Sequence, residues 1–126
     1  MKIETNELID AALDFAVALA RDESVRVEGG RVRFALSQFT NDYDLYSPST
    51  DWAQGGPIIE QEIGNLWKHN KLDPNEPDVW TAAAYRKAPD GTMLYYEEGP
   101  TPLIAAMRCF CCSKLGDEVD IPEGLT

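Results

Sequence analysis

The sequence predicts an α+β fold, a sandwich of three helices around an antiparallel sheet built from two β-hairpins. Its 126 residues form one domain, 1–126. Three observations predict it. Two stretches alternate apolar and polar residues on either side of a glycine-bearing turn. Three others repeat apolar residues at helical spacing. The order is helix, hairpin, long loop, helix, hairpin, helix, and hairpins in such an order are covered by the helices beside them.

The first helix is expected from Asn6 to Arg21. Thr5 or Asn6 can cap it, Glu7 and Asp10 suit its first turn and Arg21 its last. Leu8, Ile9, Ala12, Leu13, Ala16, Val17 and Ala20 form one apolar stripe, which leaves Asp10 and Asp14 on the opposite face. The first hairpin follows around Gly29-Gly30, a pair that supplies the positive φ angles of a tight turn. Val25, Val27, Val32, Phe34 and Leu36 are predicted to face the core, and Arg26, Arg31 and Arg33 to face out.

Residues 37–56 have no period. Asn41, Asp42, Asp44, Ser47, Pro48, Ser49 and Asp51 are turn formers, while Tyr43, Tyr46 and Trp52 are large aromatics. A long loop that carries aromatics is more often functional or packed than idle. The second helix is expected to start at Gly56-Pro57, with proline at its first position, and to run through Leu66 and Trp67 to about His69. A loop at 72–78 leads to the second hairpin, Val79–Arg86 and Thr92–Glu97, turning at Ala88–Gly91. Ala82, Ala83 and Ala84 leave room for something large to lie against that sheet. The last helix has the clearest limits: Thr101 as N-cap, Pro102 in the first turn, Gly116 as the stop. It is apolar nearly all round, which predicts burial on more than one side. Glu118–Ile121 is a short strand candidate.

The formal charge of −11 argues against nucleic-acid and anionic-membrane binding, both of which draw on Lys and Arg. No apolar run approaches the roughly 20 residues of a membrane span, and no basic, apolar leader opens the chain. Residence in the cytosol is expected. Cys109, Cys111 and Cys112 lie within four residues on one helix, and the single histidine, His69, is far from them. Neither a disulfide framework nor a metal site is expected, and no cofactor is implied. No H-E-x-x-H, phosphate loop or nucleophile–base pair is legible, so no catalytic residues are assigned.

The run Ser47-Pro48-Ser49-Thr50-Asp51-Trp52-Ala53-Gln54-Gly55-Gly56-Pro57-Ile58-Ile59-Glu60 resembles a signature of NinX-like proteins of tailed bacteriophages. So do Gly99–Phe110, Lys114–Pro122 and the opening helix Leu8–Ala18. More distantly, the pattern is similar to the phage ABA-sandwich domain, which implies an α/β/α sandwich. The resemblance implies a small accessory phage protein in the cytoplasm of an infected bacterium.

A small anionic, nucleotide-derived ligand is one expected partner. The helix starts at Gly55-Gly56-Pro57 and at Thr101-Pro102 would offer free N–H groups to an anion. Trp52 would stack on a ring and Arg108 would add a cation, so Trp52, Gly55, Gly56, Thr101 and Arg108 form the candidate site. Arg108 sits on an apolar face, where it either meets a ligand or pairs with an acid such as Asp51. Sequestering a host defence signal, in a homo-oligomer, would give such binding a purpose. The other reading is an acidic interaction module, or nucleic-acid mimic, that inhibits a host protein.

Overall fold

The computed structural model describes residues 1–35 and 44–126. Leu36, Asn41, Asp42 and Tyr43, assigned above to the strand end and the loop, lie outside the described residues. The class is α+β, with three α-helices and antiparallel sheets among the described residues.

The first helix starts later than its stripe suggests. Lys2–Glu4 form strand β1, which pairs with β7 (Glu118–Asp120), Ile3 opposite Val119. Thr5 is buried and its hydroxyl donates to the carbonyls of Gly116 and Asp117, 3.1 Å each. It therefore fastens this strand pair and caps no helix. Helix α1 covers Asp10–Arg21 and lacks a side-chain cap. Its Asp14 does not face solvent: it is only 5 % exposed and accepts the Ser49 N–H at 2.8 Å. The turn at 47–51 packs where an amphipathic helix would meet water, so the helix is enclosed on two sides.

Strands β2 (Val25–Glu28) and β3 (Arg31–Phe34) form the first hairpin, Val27 opposite Val32. Gly29 and Gly30 have φ of 61° and 74°, the left-handed values that a two-residue turn demands. Arg26 and Arg33 do not simply point outward. Both bond the fully buried carboxylate of Asp44, Arg26 Nη2 at 3.0 Å to Oδ2 and Arg33 Nη1 to Oδ1. The stray positive charge is thus matched inside the fold. Tyr46 N–H then donates to Val32 at 2.8 Å, and its ring meets Phe34 edge-on at 5.2 Å.

Helix α2 runs from Trp52 to Glu62, not from Pro57 to His69. Asp51 caps it by accepting the Ala53 N–H at 2.9 Å, and the turn before it is closed by Asp51 N–H to Ser47 O, 2.9 Å. Pro57 is therefore interior. Proline there forgoes one helical hydrogen bond and crowds the residue before it. That residue is Gly56, which has no Cβ to crowd. Gly55 serves packing: a Cβ there would lie 2.4 Å from Pro48 O and 2.6 Å from Leu103 Cδ2.

Leu66 and Trp67 belong to strand β4 (Asn65–Lys68), paired with β5 (Trp80–Ala88), which pairs with β6 (Gly91–Gly99). The two hairpins thus lie in separate sheets, and the second gains a third strand. Helix α3 (Pro102–Leu115) keeps its predicted limits: Thr101 Oγ1 accepts the Ile104 N–H at 3.1 Å, and Gly116 has φ of 88°. It packs on the three-stranded sheet with one side and on α1 and α2 with the other. Phe110, Met107, Cys109 and Cys111 are buried there with Leu13, Val17, Ile58, Ala82 and Ala84. An apolar circumference is what a helix between two layers needs.

Candidate functional site

The residues proposed from sequence as one site fall in different places. Trp52, 54 % exposed, and Thr101 do meet, across a pocket of about 220 Å³ also lined by Leu103 and Ile104. Gly55 is buried under Leu103, and Gly56 lies in mid-helix with nothing within 4 Å of its would-be Cβ. Neither belongs to a free helix start, because α2 begins at Trp52. Arg108 lines another cavity altogether. It also has no bond to Asp51, whose carboxylate holds the α2 cap.

That other cavity is an open cleft of about 990 Å³ where the β4–β6 sheet meets the segment before α1 and the start of α3. Strand alternation sets its wall. Trp67 lies opposite Thr81, which lies opposite Glu98, so the three share the sheet face turned away from α3. Tyr96, two residues from Glu98, shares it too. Trp67 and Tyr96 stand nearly perpendicular, 78° apart, with ring centroids at 6.4 Å.

Beside the rings, His69 Nε2 and Thr81 Oγ1 are hydrogen-bonded. A hydroxyl held by an imidazole is the contact of a nucleophile and its base. Among the described residues, however, no group bonds His69 Nδ1, so the member that would orient such a base is missing. Arg108 is fixed at the base of the cleft by two backbone carbonyls, Nε to Leu8 at 2.7 Å and Nη1 to Glu98 at 3.0 Å. Burial pulls its pKa below the ordinary guanidinium value, and Glu97 partly offsets this.

Carboxylates dominate the remaining lining: Glu4, Glu7, Asp78, Glu97 and Glu98. Asp78 is matched by Lys71 at 2.8 Å and Lys68 at 3.6 Å, which hold its pKa below the usual range. The other four have no cation within ion-pair distance among the described residues. Glu97 is pushed upward by burial, against the opposing pull of Cys112 and of the Arg108 charge. The cleft is therefore a negative, aromatic-walled recess with one cation at its base.

A family model described as Bacteriophage P22, NinX matches residues 4–114. The chain belongs to that family. The match runs from the last residue of β1 to the last turn of α3, so it includes every lining residue of the cleft and the whole Ser47–Glu60 run. No curated protein matches the chain. Membership makes this a phage NinX-family protein, and among its described residues no helix is long and apolar enough to cross a membrane.

The cleft residues beyond Arg108 escaped the sequence reading. The sequence pattern puts Trp67 in a helix, His69 at its end and Tyr96 in a hairpin strand. The signal that existed was the alternation Leu66/Trp67 and Tyr95/Tyr96, one member of each pair inward and the other outward.

Proposed function

We propose that this NinX-family protein acts without catalysis, as an accessory phage protein in the cytoplasm of the infected cell. In this reading it holds a host protein through the acidic cleft. The carrying observation is the excess of carboxylates without an ion-pair partner among the described residues, Glu4, Glu7 and Glu98, around exposed aromatic rings in a recess of about 990 Å³. The like charges of the exposed Glu4, Glu7 and Glu98 make the rim of the cleft a negative field that attracts a cationic partner.

Sequestration of a small nucleotide-derived anion is the second reading. It is favoured by Arg108 at the base of the cleft and by Trp52 beside the N-terminal end of α3. The pocket at Trp52, about 220 Å³, is smaller than the roughly 300–1,000 Å³ usual for such ligands. In the larger cleft an anion would face the carboxylates. Both considerations place it second.

Zero-length carbodiimide cross-linking in infected-cell extracts separates the two, since it joins carboxylates to partner lysines. The proposal expects host-protein lysines joined to Glu4, Glu7 or Glu98. Cross-links confined to distant acids, with calorimetric heat from a panel of cyclic nucleotides and ADP-ribose derivatives lost in Arg108→Ala or Trp52→Ala, would establish the second reading instead.

A further inference from the structure

The three-stranded sheet has one face covered by α3 and one that leaves large side chains exposed. Leu66, Ala82, Ala84 and Tyr95 turn toward α3 and the core. Their neighbours turn the other way, and although Thr81 and Ala83 among them are buried, the large side chains of that face are not. Trp67 is 42 % exposed, Tyr85 49 %, Leu94 40 % and Tyr96 56 %. Register makes them contiguous: Tyr96 lies opposite Ala83, Tyr85 opposite Leu94, and Trp67 one row on. Single exposed apolar residues need no explanation, whereas a contiguous patch of large ones marks a contact surface.

We infer that the anchor of the occupant is a lysine or arginine side chain on a basic segment of another protein, seated in the corner between Trp67 and Tyr96. This rests on the cleft being a protein-binding surface. Two rings at 78° with centroids 6.4 Å apart leave a position over both faces. A cation there lies within about 6 Å of each centroid, the range in which the ring quadrupole attracts it. Glu98 projects from the same face two residues from Tyr96, across Thr81 from Trp67, so the charge meets a carboxylate beside the rings. The chemistry excludes other occupants. A neutral apolar partner would strip water from Glu98 without pairing it. A second copy of this chain would bring its own charge of −11 to the same acidic rim.

The test is calorimetry of the full chain, at low salt, with an eight-residue peptide alternating lysine and serine. Its arginine and glutamate counterparts, and free spermidine, are titrated alongside. Trp67→Ala/Tyr96→Ala, which leaves the net charge unchanged, is expected to weaken lysine- and arginine-peptide binding about tenfold. Glu98→Gln weakens it about threefold, while Asp22→Asn/Glu23→Gln, at the far end of α1, changes it less than twofold, each by the charge lost near or far from the cation. The glutamate peptide stays silent. Circular dichroism confirms the fold of each variant.

Loss of binding in Glu98→Gln with none in the aromatic variant would overturn the corner and leave the acidic protein-binding surface standing. Silence of both cationic peptides would overturn both. Spermidine binding as tightly as the peptide, or a sedimenting dimer dispersed by Trp67→Ala, would also overturn the inference, in favour of a small free cation or a second copy.

Discussion

Asp14 is a carboxylate placed where the fold would be more stable with a neutral group. Burial drives its pKa from 3.8 up to about 6, while the hydrogen bonds from Ser49 pull it down and Asp10 adds a small upward push. A folded pKa above the unfolded one means that the native state holds a proton which the unfolded chain releases between pH 3.8 and 6. Stability contributed by the protonated form is complete below that window, falls as pH rises through it, and is absent above about pH 6. At about 1.4 kcal/mol per pH unit the loss is ~3 kcal/mol. Asp14→Asn keeps an oxygen for the Ser49 N–H and removes the charge. Its amide N–H groups can turn to the cavity of about 430 Å³ that Asp14 lines beside Tyr46 and Thr50. Urea unfolding at pH 8 should therefore show Asp14→Asn stabilised by ~3 kcal/mol, a midpoint higher by roughly 1–3 M. At pH 4 the advantage should vanish. Asp14→Ala, which leaves the Ser49 N–H without its acceptor, should forfeit about 1–3 kcal/mol relative to Asp14→Asn at both pH values. The reasoning is refuted if Asp14→Asn is less stable than the natural chain at pH 8, or if its gain is the same at pH 4.

Two further outcomes follow from packing. Gly55→Ala should destabilise by about 1–3 kcal/mol in thermal or urea unfolding: overpacking against Pro48 O and Leu103 Cδ2 outweighs the roughly 1 kcal/mol gain in helix propensity, whereas Gly56→Ala meets no such atoms and is penalised only by crowding of its Cβ against the Pro57 ring. The native protein should resist iodoacetamide at pH 8 and take up three equivalents in urea, because Cys109, Cys111 and Cys112 are buried and burial pushes the Cys109 thiol to about 12.

What the sequence disclosed was what neighbours in the chain decide. Thr101, Pro102 and Gly116 each act within one helical turn, and α3 starts and stops where they say. The β5–β6 hairpin is equally local. Helix α2 was misread because two local rules competed. Gly56-Pro57 has the look of a helix start, but Asp51 is a true side-chain cap five residues earlier, and a glycine before the proline lets the helix pass through. Leu66 and Trp67 continue the helical period of Ile59 and Ile63, yet pairing with Ala82 and Thr81 claims them for a strand. That pairing is non-local, as is everything that assembles the cleft. Trp67 and Tyr96 meet only because both flank β5, and Arg108 reaches their cleft only because the carbonyls of Leu8 and Glu98 hold it there. The alanine run did announce a close neighbour: α3 lies over Ala82 and Ala84.

The position of α3 in chain order sets a timetable for biosynthesis. Residues 1–101 precede it and include α1, α2 and β1 to β6, which border it or depend on the cluster it completes. At about 5–20 residues per second, a ribosome needs roughly 5–20 s to reach Thr101. Throughout that interval the apolar sides of Leu13, Val17, Ile58 and Ala82 have no Phe110 or Met107 to close on. Cooperative folding therefore waits for one helical segment. A released chain ending at residue 101 should be protease-sensitive along its length, whereas the full chain should not.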